Sequence, residues 1–132
     1  MTAQQYVVVG TAADTTIRVT RSHAATSPPQ GLVLDADHPL TIGRIEATRI
    51  VIWADTAPDT TAVTTTCAGD LRVWNVWRDG DLIQAWEGEA RLSVDDDGDD
   101  LGLSCHDGHG DPEPSLVVRL GFDRAWTQPA GG

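Results

Sequence analysis

The chain has 132 residues, with nine arginines, no lysine and twenty acidic residues, which give a net charge of −11 at pH 7. This length is enough to bury a hydrophobic core in one domain without disulfides or metals. Phosphate binding depends on Lys and Arg, so the charge balance argues against nucleic acid as a partner. It argues equally against an anionic membrane surface. An acidic surface instead suits cations or a basic protein.

The N-terminus and the cysteines set further expectations. The first residues show neither the basic region nor the apolar run of a signal peptide, and no stretch approaches the roughly 20 apolar residues of a membrane span. We therefore expect cytoplasmic synthesis, with the protein acting there, within a particle or after release. Cys67 and Cys105 permit one disulfide at most, and we expect both to be reduced. Residues 1–122 are expected to form one domain and residues 123–132 a tail.

Alternation of apolar and polar residues recurs along the chain, whereas helical periodicity is nearly absent. The pattern predicts strands at residues 6–9, 15–20, 32–35, 40–44, 48–53, 62–67, 71–78, 81–86, 91–94, 101–105 and 116–121. Prolines and glycines separate them, and residues 21–30 are expected to form a long loop. Short strands with regular turn signals predict an all-β fold, a single-domain antiparallel β-sandwich that is jelly-roll-like or immunoglobulin-like, with about nine to eleven short strands.

The strongest local signal is the Asp-Gly pair at 79–80, which lies between two predicted strands. Asp-Gly is typical of a two-residue β-hairpin turn. This turn would place Arg78 opposite Asp81 and Arg72 opposite Glu87. Two ion pairs would then lie at the two ends of one face of the hairpin, which supports this register.

In the predicted register each face of this hairpin has apolar side chains at its centre. One face therefore has to pack on the core, and the other has to be covered by a loop or a partner or to expose tryptophan to solvent. Trp77 and Trp86 lie on the face that is richer in apolar area, and we expect that face to pack on the core. Trp74 then lies on the opposite face, exposed or covered by a partner, and is framed by the four charged residues of the two ion pairs. Tryptophan stacks on sugar rings and dominates hot spots of protein interfaces. The Trp74 face is therefore the leading candidate for contact with a protein or a glycan.

Residues 95–100, DDDGDD, form the tip of the next predicted hairpin. Calcium prefers oxygen ligands in a flexible loop, and Asp95, Asp97, Asp99 and Asp100 are the candidate ligands. The loop is not an EF-hand, because serines occupy the first and last ligand positions and no helices flank it. The alternative is a solvated acidic tip that protects a strand edge, and the sequence favours this alternative.

Residues 104–114, SCHDGHGDPEP, form a second polar cluster. Cys105, His106, His109 and Asp111 supply the sulfur, nitrogen and oxygen donors that zinc requires. The predicted strand nevertheless places Cys105 on the core face and His106 on the opposite face. The favoured alternative is a strand end with a small buried cysteine, followed by a polar loop. The acidic tip lies roughly 16 Å away along the same strand, at about 3.3 Å per residue, so the two clusters form one mononuclear metal site only if a loop folds back along the strand.

Three functional hypotheses follow. The first is a non-enzymatic binding or structural module that contacts a protein, including a basic protein, or a glycan through the tryptophan-bearing hairpin or the acidic loops. The second is a binding protein that depends on calcium or zinc. The third is a small β-sandwich hydrolase or metalloenzyme, although Ser104 and His106 lack a nucleophile elbow and the chain has no phosphate-binding or dinucleotide-binding motif.

Overall fold

The computed structural model describes residues 3–26, 28–85, 91–96, 100–107 and 113–123. Within these ranges all regular secondary structure is β-strand. In chain order the strands are β1 Ala3–Gln4, β2 Val7–Thr11, β3 Thr15–Ala24, β4 Gln30–Ile42, β5 Ile45–Trp53, β6 Thr60–Thr65, β7 Gly69–Asp79, β8 Leu82–Gln84, β9 Arg91–Asp96, β10 Asp100–His106 and β11 Leu116–Asp123. Among the described residues, no helix has the length and apolar character needed to cross a membrane.

The strands form one antiparallel sheet in the order β1-β9-β10-β11-β3-β6-β4-β7-β2, with β5 paired to β4 and β8 paired to β7. Only Gln5 and Tyr6 separate β1 from β2, yet β1 pairs with β9 and β2 pairs with β7. The N-terminal segment therefore joins the two ends of the sheet, which nearly closes into a barrel. The predicted all-β antiparallel fold is confirmed, whereas a two-sheet sandwich is not.

The predicted strands at 32–35 and 40–44 are parts of one long strand, β4. Its register with β5 shifts between Asp35 and Leu40, and Pro39 lies in this irregular stretch, where a missing backbone N–H is tolerated. The apparent break in the sequence is therefore an irregular stretch within one strand.

Several predicted boundaries are wrong: β5 begins three residues earlier than predicted, β6 lies two residues earlier, β8 is shorter, and β1 was not predicted. Two further boundaries have a clear physical reason. β4 ends at Ile42 because Gly43 has a φ of 59° and begins the turn into β5, a conformation that glycine adopts readily. The predicted loop at 21–30 is shorter than expected, since β3 continues to Ala24 and β4 begins at Gln30. Both strands extend through polar residues that carry no alternation signal.

The centre of the hydrophobic core comes from β4. Leu32, Leu34 and Leu40 are each at most 1% exposed, because alternate residues of the strand point into the barrel. The other strands of the sheet contribute further fully buried apolar side chains, among them Ile17, Val63, Leu71, Val73, Leu92, Leu103, Cys105 and Leu120. Val33, which points the other way, is also buried. β4 is therefore covered on both faces.

Leu34 provides a test of this core. Its side chain is fully buried and it lies opposite Ile50 and Val73 on the two neighbouring strands. Leu34→Ala should lower the free energy of unfolding by about 2–5 kcal/mol, because it leaves a cavity. Ile45→Ala, at a side chain that is 64% exposed, is the matched control and should change it by less than about 0.5 kcal/mol. Urea denaturation measures the free energy of unfolding of both variants. An equal loss of this free energy in the two variants would contradict this placement of the core.

Candidate functional site

The hairpin of β7 and β8 turns one residue later than predicted. Arg78 lies opposite Ile83 instead of Asp81, and Gly80 begins the turn with a φ of 64°, as a hairpin turn with glycine in first position requires. The predicted register is therefore wrong by two residues. Glu87, the predicted partner of Arg72, lies outside the described residues. A shift of two leaves each side chain on its predicted face, because the period of a strand is two.

Both described tryptophans of this hairpin are buried. Trp77 is 3% exposed on the inner side, as predicted, but Trp74 is only 7% exposed, so the expectation of an exposed ring is wrong. The guanidinium of Arg49 lies 5.2 Å from the centroid of the Trp74 ring. Trp74 lies opposite Val33 of β4, which is also buried, so the ring packs against this neighbour and under Arg49. Trp86 lies outside the described residues.

We call the side of the sheet that carries Trp74 the outer face. Across β5, β4 and β7 its side chains form three cross-strand rows, which are Trp53–Gly31–Val76, Val51–Val33–Trp74 and Arg49–Asp35–Arg72. Arg78 lies one step beyond Val76 on the same face of β7, because alternate residues of a strand share a face. The outer face thus combines tryptophan, arginine and aspartate over an apolar floor.

Gly31 allows the ring of Trp53 to lie across β4. A Cβ at Gly31 would lie 2.7 Å from Cε3 of this ring. The guanidinium carbon of Arg78 lies 4.5 Å from the ring centroid, and Arg78 also forms an ion pair with Asp55. The cation–π contact and the ion pair together fix the position of the arginine over the indole.

Two arginines converge on the carboxylate of Asp35. Arg49 Nε donates to Oδ1 at 3.1 Å and Arg72 Nε donates to Oδ2 at 2.8 Å, while Arg72 Nη2 donates to Asp37 at 3.0 Å. Burial raises the pKa of Asp35, but the hydrogen bonds and charges of the two arginines lower it more, so that its pKa lies below the ordinary value of 3.8. The stabilisation from this carboxylate is therefore present above pH 3.8 and is lost as the pH falls through the lowered pKa.

Exposed apolar side chains continue the outer face beyond β7. Val8 on β2 lies opposite Arg72, and Ile83 on β8 lies opposite Arg78. These two side chains are 50% and 59% exposed, and Tyr6, which lies between β1 and β2, is 49% exposed. Val8 and Ile83 lie six β7 positions apart, roughly 20 Å at about 3.3 Å per residue, so apolar area is open to a partner at separate points along this side of the outer face. The sequence did not show it, because β2 and β8 are brought together only by their common neighbour β7.

Cys105, the predicted zinc-binding thiol, belongs to the core. It is fully buried between Leu92 and Leu116, and burial raises the pKa of the thiol from 9.0 to about 12. His106 lies on the opposite face beside Arg91, and partial burial together with the charge of Arg91 lowers its pKa below 6.5. The alternative interpretation of Cys105 as a small buried hydrophobe is confirmed.

The remaining predicted zinc ligands, His109 and Asp111, lie outside the described residues. In the part of the chain that the structure describes, no group of three or more His, Cys, Asp or Glu side chains is placed to hold a metal ion. Zinc binding stays a prediction, and Cys105 does not support it.

The calcium hypothesis rests on residues at the β9–β10 tip. Asp97 and Asp99 lie outside the described residues. Asp95 is exposed at the end of β9, and Asp100 accepts a hydrogen bond of 3.2 Å from Nη1 of Arg119. Calcium binding also stays a prediction.

A cluster of buried polar side chains closes the end of the barrel where β4 begins and β10 ends. Gln30 is fully buried, and its Nε2 donates to Pro28 O and to Asp107 Oδ2, each at 2.9 Å. Asn75 on β7 donates to His106 O at 3.2 Å. Gln30 Oε1, in contrast, accepts no hydrogen bond from the described residues.

A groove of about 420 Å³ opens beside Gln30, between the end of β3 and the loop that follows β5. Its ionisable lining side chains are Arg21, His23, Asp55 and Asp59. Arg21 Nη2 donates to Asp59 Oδ1 at 2.7 Å, and Asp55 pairs with Arg78 of the outer face. The groove is therefore adjacent to the outer face, and its volume falls in the range of small-molecule sites.

Comparison with known proteins adds no functional assignment. No protein-family model matches the chain, and neither a curated protein nor a solved structure shows significant similarity to it. The functional argument therefore rests on the outer face.

Gly31→Ala tests the packing of Trp53. The added methyl group would meet the indole ring, which has to move away from Arg78, so the free energy of unfolding should fall by about 1–3 kcal/mol and the tryptophan fluorescence should change. Gly10→Ala is the control, because a Cβ there meets nothing within 4 Å. A Gly31→Ala variant with wild-type stability and fluorescence would contradict this packing.

The raised pKa of the Cys105 thiol predicts a loss of stability at alkaline pH. Below pH 9 the thiol is protonated in both the folded and the unfolded chain. Between pH 9 and about 12 only the unfolded chain loses the proton, so the free energy of unfolding should fall by about 1.4 kcal/mol per pH unit from this group. Urea denaturation between pH 9 and 11 should show a shallower slope for Cys105→Val. The control Cys67→Ser, at an exposed cysteine, should keep the wild-type slope. A wild-type slope for Cys105→Val together with a shallower slope for Cys67→Ser would contradict the burial of the Cys105 thiol.

Proposed function

We propose that the chain is a non-enzymatic binding module that docks a protein partner on the outer face. The observation that carries this proposal is the exposure of Val8 and Ile83 on the outer face, beside Arg72 and Arg78, together with that of Tyr6 just before β2. Large apolar side chains that stay open to solvent along one side of a sheet favour a contact surface over a purely structural role. Aromatic residues and arginine are also enriched in protein interfaces.

The distribution of charge supports a partner with a basic rim. The outer-face ion pairs join three arginines to three aspartates, namely Arg49, Arg72 and Arg78 with Asp35, Asp37 and Asp55. These six charges cancel, so the remaining residues carry the whole net charge of −11. Asp70 and Asp81 are exposed near the two ends of the apolar group. A surface with an apolar centre and basic residues around it complements this arrangement.

The position of the arginines favours a protein over a glycan. A sugar binds to tryptophan by stacking on a face of the ring, but the rings of Trp53 and Trp74 are each covered by a guanidinium, that of Arg78 and that of Arg49 respectively. The same contacts hold the arginines in place before binding. Less side-chain entropy is then lost when a partner docks.

Charge substitutions in the apolar group test this function. Val8→Asp and Ile83→Asp should each weaken capture of the protein partner from extracts of the producing cells by at least about tenfold, because each buries a charge within the interface. Ile45→Asp is the control, since Ile45 is at least as exposed but begins β5, beyond the register shift of β4 and away from β2 and β8. Urea denaturation establishes that all three variants fold.

Binding of the identified partner is then measured by calorimetry at about 50 mM and 500 mM NaCl, and it should weaken at the higher salt concentration. Full retention of the partner by Val8→Asp and Ile83→Asp would contradict the proposal. So would equal loss of the partner in Ile45→Asp, and capture of a glycan in place of a protein would replace the partner class.

A further inference from the structure

We propose that β5 is an open sheet edge at which a second copy of this chain pairs, so that the protein forms a symmetric dimer. Among the described residues, β4 is the strand that pairs with β5. Natural proteins often protect an open edge with lysine, proline or a bulge. Residues 49–53, RIVIW, contain neither lysine nor proline and keep a regular register with β4. This part of the edge is therefore suited to pairing with another strand.

The hydrogen bonds to β4 use alternate residues of β5. Ala54 N donates to Gln30 O at 2.8 Å, and these two residues flank the opposed pair of Trp53 and Gly31. In an antiparallel ladder, a bond between the flanking residues marks the enclosed pair as a non-hydrogen-bonded one. Trp53 therefore directs its backbone N–H away from β4, and so do the residues two and four positions before it.

Arg49 and Val51 are these two residues, and their backbone groups face the open edge. The N–H and C=O of each point away from β4, to a side where the described part of the chain supplies no strand. The carbonyl oxygen of Trp53 differs, because it accepts from Thr56 N at 3.2 Å and from Ala57 N at 2.8 Å. A ladder added at this edge would therefore run from Arg49 to the N–H of Trp53.

Symmetry and charge select one register for a second copy. Two antiparallel copies of β5 are related by a twofold axis perpendicular to the sheet, which places one residue opposite its own copy. An axis at Arg49 would place two guanidinium groups opposite each other, and an axis at Ile50 would place them on diagonal positions within reach of each other. An axis at Val51 separates the two arginines. It places Val51 opposite its copy and Arg49 opposite Trp53 of the second copy.

This register also matches backbone groups and apolar side chains. The N–H and C=O of Val51 pair with those of Val51 in the second copy, and the N–H of Trp53 reaches the C=O of Arg49. On the outer face, the row Val51–Val33–Trp74 continues into the same row of the second copy. The half-buried side chain of Val51 thereby loses its remaining exposure. Apolar cross-strand pairs of this kind stabilise a sheet.

Charge sets the strength of the dimer. Arg49 is the one ionisable residue between positions 47 and 54, and it is paired with Asp35 of its own chain, so the edge itself is close to neutral. Each copy nevertheless carries a net charge of −11, and two copies repel each other at a distance. Salt screens this repulsion. The dimer should therefore become tighter as the salt concentration rises, whereas binding of a protein partner to the outer face should become weaker.

The dimer does not rest on the proposed function. β5 and β7 pair with opposite edges of β4, and β2 and β8 lie beyond β7. Val8 and Ile83 therefore stay accessible when two copies pair through β5. Once both β5 edges are paired, the contact is closed and does not extend into a filament.

Sedimentation velocity over a range of concentrations tests the inference. The mass should rise from that of the chain, 14.1 kDa, to twice this value, with a dissociation constant on the order of 100 μM. The dissociation constant should fall between about 50 mM and 500 mM NaCl. A chain that stays monomeric at about 1 mM protein in both salt concentrations would overturn the inference.

Hydrogen exchange measured by NMR identifies the edge on the wild-type chain. The amides of Ile50 and Ile52, which bond to β4, should exchange slowly at every protein concentration. The amides of Val51 and Trp53 should exchange at least about threefold more slowly at 1 mM than at 20 μM protein, because the dimer then predominates. A dimer in which these two rates do not change would overturn the inference. So would slowing of these amides only after a protein partner is added, since a strand of that partner would then occupy the edge.

Val51→Arg places two like charges at the twofold axis. It should raise the dissociation constant of the dimer by at least about tenfold, although it makes each copy less negative. Val8→Arg is the matched control, because it adds the same charge on the outer face but on β2, and it should form the dimer at least as tightly as the wild type. Urea denaturation establishes that both variants fold. A folded Val51→Arg variant with the wild-type dissociation constant would overturn the inference.

Discussion

The rest of the structure depends on the covering of β4 on both of its faces. This strand pairs with β5, β6 and β7. Its inner side chains Leu32 and Leu34 form the centre of the core, and its outer positions Gly31, Val33 and Asp35 form the floor of the outer face. Because successive residues point to opposite sides, a slip of one residue would exchange leucine and aspartate between core and surface. Formation of the core therefore also fixes the geometry of the outer face.

Most of the strands could be predicted from the sequence, because alternation is a local signal, whereas the short strand β1 was missed and β4 was predicted as two strands. The same signal correctly placed Cys105 in the core. The hairpin register was wrong because glycine with positive φ fits more than one turn around residue 80, yet the faces were preserved since the error was two residues. The burial of Trp74 and the closure of the sheet could not be predicted. Both depend on pairings of β7 with strands that are distant in the sequence, which periodicity does not encode.

The ion pairs of the outer face contribute little to the stability of the fold. Their main effect is to position the arginines. Exposed pairs typically contribute about 0–1 kcal/mol each, and most of these carboxylates and arginines retain solvent contact. Their effect is to hold Arg49 and Arg78 over indole rings and to cancel charge locally in an acidic protein. Arg78 also connects this surface to the groove through Asp55.

Hydroxyl-radical footprinting of the isolated chain and of the chain within its native assembly tests the central claim most directly. This claim is that a protein partner covers the outer face. Tyr6 and Ile83 should be oxidised readily in the isolated chain, because each is about half exposed or more, and should be protected in the assembly. Ile45 should be oxidised equally in both. Equal oxidation of Tyr6 and Ile83 in the two states would contradict the account.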